Sequence, residues 1–288
     1  MLQGVYHYKV TIGDLDPASV GLPTEVLPTE DGYKLAQNLT TSEIISLCSS
    51  YTGTGFFISN DGKIITNLHI AKPWLFDDTC QKLESTFRNM LAQKAQNTDF
   101  VRNTFGVSAT SLSAYVSQVK VEGVLDYVLL VPQGKFFDEE NAIKCRLLSA
   151  GDNDPKKDVA LLQSTRGELP SGCTFINVTD SMNTDELQLK VGTHICTLGF
   201  PFGNDLQHLD EIKGLQIFSH GGSISQESSE YDFNYDAATA SGASGSPVFN
   251  EHGELIGVHH AGVKQKQGFN YGVKAKYIKE LLDSPYKK

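Results

Sequence analysis

Short β-forming runs joined by glycine turns are the feature that most limits what this chain can fold into. GFFISN and KIITNLHI meet across Asp61-Gly62, SPVFN and ELIGVHH meet across His252-Gly253, and AYVSQVKVEG, DYVLLVP, VALLQ and LKVGTHICTLGF lie between them. Glycine takes positive φ without strain, so X-Gly between alternating runs reads as a hairpin turn. Repeated along the chain, the pattern predicts an all-β protein built as barrels or a sandwich. The two hairpins also echo each other, since Asn60 precedes His69 and Asn250 precedes His259 by nine positions each. Either duplication of a β module or chance would produce that echo.

Two stretches break the β pattern. Phe76, Cys80, Leu83, Phe87, Met90 and Leu91 recur at spacings of three and four with charged residues between, which predicts an amphipathic helix from Phe76 to about Phe105. Tyr277, Ile278, Leu281 and Leu282 share a face of KAKYIKELLD and Pro285 follows, which predicts a short docking helix. Residues 14–42 carry Pro17, Pro23 and Pro28 among acidic and small residues and read as irregular. The expected organisation is an N-terminal extension over 1–42, a first β module over 43–166 with a helical insertion at about 75–105, and a second module with the terminal helix over 167–288.

Charge and cysteine content exclude several function classes. Against 34 acidic residues stand 24 Lys and Arg, a net charge of -10, and such a surface repels phosphate backbones, so nucleic acid is not an expected partner. The opening residues lack the apolar run of a secretory signal and no stretch is long enough to span a bilayer, so no membrane partner and a cytoplasmic location are expected. Five cysteines without a CxxC pair indicate neither a disulfide framework nor a zinc cluster, and buried reduced thiols are expected.

Hydrolysis of a peptide by serine needs an activated hydroxyl, a base, a carboxylate orienting that base, and backbone N–H donors for the oxyanion. GASGSP places Ser244 in a glycine-flanked turn where the N–H groups of Gly242 and Ser244 can converge. His69 closes the first hairpin, and Asp158 opens DVALLQ after a charged turn. Singly, each has an ordinary structural reading: a turn serine, a solvated or core histidine, a turn-forming aspartate. Their order His, Asp, Ser is the chymotrypsin order. An α/β-hydrolase elbow would need glycine where Ser246 stands.

Five blocks carry a resemblance. GTGFFISNDGKIITNLHI, KKDVALLQ, LKVGTHICTLGFPFG, TASGASGSPVFNEHGELIGVHHAG and FNYGVKAKYIKELL resemble, in order, the blocks of HtrA-like trypsin-type serine proteases over roughly Thr52 to Leu282. The resemblance implies two six-stranded β-barrels of the chymotrypsin type, with an inserted helix after the histidine and a C-terminal helix. It implies His69 as general base, Asp158 as orienting carboxylate, Ser244 as nucleophile, and Gly242 and Ser244 N–H groups as the oxyanion hole. Such a serine endopeptidase takes a protein or peptide substrate and needs no metal or organic cofactor.

The departures matter too. Ala243 and Ser246 replace residues of the usual GNSGGP, and GxSGSPVF is similar to the bacterial glutamyl endopeptidases. That likeness implies that Thr239 and His259 bind an acidic side chain before the scissile bond, with His260 and Ala261 beside them in the pocket. The chain ends where HtrA proteases usually continue into a PDZ domain, so PDZ-gated regulation is not expected. The insertion after His69 is expected to shape substrate access or to bind a regulatory partner, or merely to cover a barrel. The alternatives left open are an HtrA-like protease preferring small or aliphatic side chains, and a protease fold that grips peptides without cutting them.

Overall fold

Both glycine turns form. In the computed structural model, which describes residues 1–96, 112–203, 214–262 and 268–284, Gly62 and Gly253 adopt φ of 73° and 75° between paired antiparallel strands. The protein is mostly β, with a nine-stranded sheet and a closed six-stranded barrel. The sheet holds β1 (Leu2–Ile12), β2 (Glu25–Thr29), β3 (Gly32–Ala36), β4 (Tyr51–Gly53), β5 (Phe56–Phe57), β6 (Lys63–Thr66), β7 (Val119–Leu130), β8 (Ile143–Ser149) and β9 (Ala160–Ser164). The barrel holds β10 (His194–Gly199), β11 (Phe218–Gln226), β12 (Asp232–Tyr235), β13 (Pro247–Asn250), β14 (Leu255–Gly262) and β15 (Asn270–Lys274), closing in the order β10-β11-β12-β15-β14-β13. The two-sheet β class therefore stands, while the first sheet has nine strands where six were expected.

The described helices include α1 (Thr41–Leu47), α2 (Leu68–Ala71), α3 (Thr79–Gln96), α4 (Val178–Ser181) and α5 (Ala275–Asp283). Backbone contacts divide the chain into two compact units. One comprises Met1–Gly4, Tyr51–Pro73 and Tyr127–Lys288, and the other Val5–Ser50 and Trp74–Asp126.

The second unit corrects the reading of residues 14–42 as irregular. After a 3-10 turn at Pro17–Val20, β2 and β3 form an antiparallel pair, and β2 pairs with β1 through Tyr8 and Val26. Helix α3 lays Phe87, Leu91 and Ala95 into a core with Tyr8, Val10, Val26 and Val119. Burying Phe87 and Leu91 contributes roughly 1.5–3 kcal/mol each. The N-terminal segment and the insertion after His69 thus make one unit, and the helix's apolar face is filled by its own chain. The predicted helix starts at Thr79 rather than Phe76, and positions 97–105 lie outside the described residues.

The first unit holds every candidate site residue. Its core joins Ile65 and Leu161 of the sheet to Leu255, Val258 and Val273 of the barrel, and the predicted terminal helix α5 adds Tyr277, Ile278 and Leu281. Pro285 lies outside the described residues. A second cluster around Phe233, Tyr235, Val248 and Ile256 fills the barrel. All five cysteines are unpaired and half-buried. No helix among the described residues is long and apolar enough to cross a membrane.

Candidate active site

His69 sits in α2, immediately after β6. Asn67 caps that turn through its carbonyl, which accepts from Ile70 N–H at 3.2 Å, and the Asn67 side chain donates to the Asp158 carbonyl at 2.8 Å. One side chain thus ties the histidine turn to the aspartate turn. Asp158 follows the 3-10 turn Pro155–Lys157, whose Lys157 pairs with Asp152 at 3.0 Å and Glu280 of α5 at 2.6 Å.

The two side chains meet. Asp158 Oδ2 lies 2.8 Å from His69 Nδ1, and Asp158 Oδ1 accepts from the His69 backbone N–H at 2.9 Å. The carboxylate is 1% exposed and the imidazole 25%. Burial would raise the Asp158 carboxyl, but hydrogen bonds and charge from His260 and His69 outweigh it and hold it below the usual carboxylate range. An ionised Asp158 can only accept, so Nδ1 of His69 carries the proton and Nε2 is left as the acceptor.

The Ser244 loop is shaped by glycines at two positions. Gly242 and Gly245 both adopt φ of 92°, where a side chain is strained. A Cβ on Gly242 would stand 2.6 Å from the Phe200 carbonyl oxygen, and one on Gly245 1.9 Å from that of Thr54. The loop is pinned on both sides: Thr54 N–H donates to the Ser244 carbonyl at 2.6 Å, and Gly245 N–H to the His259 carbonyl at 2.8 Å. Neither Gly242 N–H nor Ser244 N–H has a hydrogen-bond partner among the described residues. The Ser244 hydroxyl donates to the His260 carbonyl at a long 3.4 Å. An oxygen developing negative charge beside Ser244 would find two unengaged donors.

Of the predicted pocket residues, Thr239 donates its hydroxyl to Asn270 Oδ1, and Asn270 is held by donating to the Ala237 carbonyl at 2.6 Å. His259 is 3% exposed, and its Nδ1 lies 2.6 Å from the Tyr235 hydroxyl. Burial, helped by the charges of His260 and His69, pushes its imidazole down to about 3, so it is neutral at ordinary pH. Burial also raises the Tyr235 phenol, which keeps its proton. A Tyr235 phenol that donates to Nδ1 would leave His259 its own proton on Nε2. Ala261 is half-buried in the β14–β15 ladder opposite Tyr271. His260 turns toward the aspartates instead: its Nδ1 lies 3.3 Å from Asp158 Oδ2 and its Nε2 3.1 Å from Asp232 Oδ1.

Sequence reasoning missed Thr54, Asn67, Tyr235 and Asp232. Local patterning carries no sign of them, because each acts on a partner distant in the chain; the doubled histidine of GVHHAG was the visible hint of a second imidazole. Among the described residues no group of three or more His, Cys, Asp or Glu could hold a metal ion.

A family model described as a trypsin-like peptidase domain matches residues 53–258, a span that includes His69, Asp158 and Ser244 and stops just before His259. The chain belongs to that family. A probable periplasmic serine endoprotease, DegP-like, of Pseudomonas fulva (strain 12-X) is 32% identical over 116 residues, 40% of this chain and 22% of that protein. A glutamyl endopeptidase of Staphylococcus epidermidis is 29% identical over 137 residues, 47% of this chain and 41% of that protein. The chain thus spans less than half the length of these relatives. A solved structure of the Rv3671c protease from M. tuberculosis in its active form aligns over 81% of this chain and 73% of its own, at 15% identity and a TM-score of 0.44.

Proposed function

We propose that this trypsin-like peptidase domain is a serine endopeptidase. Ser244 Oγ attacks the scissile carbonyl carbon and its proton passes to His69 Nε2. The oxyanion settles on the N–H groups of Gly242 and Ser244. The same proton then goes to the leaving amine as the C–N bond breaks, and a water deprotonated by His69 hydrolyses the acyl-enzyme. The observation that carries the reading is the 2.8 Å contact between His69 Nδ1 and a buried, ionised Asp158, which fixes the tautomer a general base needs. A fluorophosphonate probe tests it. Stoichiometric labelling that disappears in Ser244→Ala supports the peptidase, and a folded wild type that does not label is the peptide-gripping module instead.

The reading extends to cleavage after an acidic residue. Support comes from the Tyr235 hydroxyl 2.6 Å from His259 Nδ1, which by donating there leaves an Nε2–H donor on a buried imidazole, and from the partial likeness to a glutamyl endopeptidase. A neutral donor can bind a carboxylate by a charge-assisted hydrogen bond. Thr239 contributes only by turning its hydroxyl away from Asn270, so the preference rests chiefly on His259. Peptide-library cleavage tests this, and a profile dominated by Val, Ala or Leu before the scissile bond would remove it in favour of small or aliphatic specificity.

A further inference from the structure

The resting site has more charge than a triad uses. His260, on β14 directly after His259, stands between two carboxylates, with Nδ1 3.3 Å from Asp158 Oδ2 and Nε2 3.1 Å from Asp232 Oδ1. Its side chain is 19% exposed, and Asp232, at the start of β12, is 28% exposed. Neither His260 Nε2 nor Asp232 Oδ1 has an aligned hydrogen-bond partner, so the contact is one of charge rather than of bond direction. Among the described residues, the other groups facing His260 are the neighbouring His259, His69 across the shared carboxylate, and the Tyr271 ring of β15 in an edge contact at 6.3 Å.

We propose that His260 and Asp232 form a positioning pair behind Asp158 and His69, setting a positive charge and its counter-charge against the shared carboxylate so that the net charge behind the base stays that of a single carboxylate. The inference rests on the serine-endopeptidase reading, in which His69 must be free of its second proton to act. An imidazole with a carboxylate within 3.3 Å of each nitrogen is attracted by both only as the imidazolium. Burial opposes that charge, yet Asp158 and Asp232 outweigh it and push His260 up to about 9. Asp158, His260 and Asp232 then carry one net negative charge, the same as a lone carboxylate. His260 repels a second proton on His69, while Asp232 restores the field that supports the imidazolium formed during attack.

The charge balance makes opposite predictions for the two partners. His260→Gln leaves two negative charges behind His69, so the acid limb of the labelling rate should move up in pH. Asp232→Asn leaves none, so that limb should move down, and the limiting rate should fall. Each displacement should be about half a pH unit or more, the size of one unit charge changed beside a partly exposed imidazole. The double variant should return close to wild type. The measurement is the pH dependence of the second-order rate of fluorophosphonate labelling, which needs no identified substrate. Because Asp232 is partly exposed, its variant keeps the test open should His260→Gln not fold. A wild type that labels but whose variants shift in the same direction, or not at all, would overturn the positioning pair alone. A wild type that does not label would overturn the peptidase reading and this inference together.

Discussion

Thr54 and Gly242 are 188 positions apart, yet the Thr54 hydroxyl donates to the Gly242 carbonyl at 2.8 Å. The same hydroxyl accepts from Phe200 N–H at 3.0 Å, and the Thr54 backbone N–H donates to the Ser244 carbonyl at 2.6 Å. One buried residue beside β4 thus sets the height of the loop that carries Ser244 and the Gly242 and Ser244 N–H groups, which have no partner among the described residues. Thr54→Val keeps the shape but strips both side-chain bonds, leaving a buried carbonyl and a buried N–H unsatisfied at about 1–3 kcal/mol. We expect a lower thermal midpoint and labelling of Ser244 slowed at least tenfold, with both recovered in Thr54→Ser. Labelling at the wild-type rate in a destabilised Thr54→Val would mean that the loop holds its geometry without the hydroxyl.

The pairing of His69 with Asp158 separates geometry from charge. Asp158→Asn retains the shape but offers an amide donor, so His69 must turn its other tautomer toward it and loses the Nε2 acceptor that the proposed mechanism requires. Turnover should fall by about 10⁴. Ser244→Ala should abolish labelling while moving stability by less than about 0.5 kcal/mol, because the hydroxyl's one bond, to the His260 carbonyl, is long at 3.4 Å. Kinetics and thermal unfolding of the two variants side by side check this, and turnover preserved in Asp158→Asn would refute the assigned role.

The features readable from the sequence were those that local chemistry dictates. Turns at Gly62 and Gly253, the stripe of Phe87 and Leu91, and the apolar face of α5 are each written within a few residues. The N-terminal strands were not. β3 is nearly all exposed, so Tyr33 and Leu35 show no buried alternation, and the prolines that read as breakers occupy the first position of a 3-10 turn, at Pro17, and a place inside β2, at Pro28. At the site, the three residues of the chymotrypsin order were legible because each sits in a recognisable block. Asp232 was invisible: it reaches His260 only because β12 and β14 flank β15 in a closed barrel, a neighbourhood that no window of sequence records.

Two adjacent histidines should shape stability against pH in opposite directions. His259 drops from 6.5 unfolded to about 3 folded, so between those values the unfolded chain binds the extra proton and stability is lost as pH falls. His260 rises from 6.5 to about 9, so its contribution is full below 6.5 and is lost as pH rises through about 9. Each arm is worth on the order of a few kcal/mol, and Asp158, held low, adds to the acid loss below its unfolded value of 3.8. Thermal midpoints measured from pH 4 to 10 should peak near 6.5. His260→Gln should flatten the alkaline arm and His259→Gln the acid arm, whereas unchanged slopes in both variants would contradict the assigned charge states.

The last prediction concerns Tyr235, which touches neither nucleophile nor base. Its buried phenol lies 2.6 Å from His259 Nδ1, and the proposed acidic pocket needs it to donate there, so that the histidine's proton stands on Nε2, where a substrate carboxylate can accept it. Tyr235→Phe removes the hydroxyl and keeps the ring that packs against Phe233 at 5.8 Å. His259 is then free to take the other tautomer, whose Nε2 lone pair would repel a carboxylate. For paired peptides differing only in Glu or Gln before the scissile bond, wild type should favour Glu by at least tenfold in kcat/KM, about 1.4 kcal/mol. Tyr235→Phe should lose most of that ratio while its fluorophosphonate labelling rate stays near wild type, since the probe carries no acidic side chain. If the Glu preference survives Tyr235→Phe and disappears in His259→Ala, His259 binds substrate without needing its tautomer fixed; if it survives both, the acidic pocket lies elsewhere in the barrel.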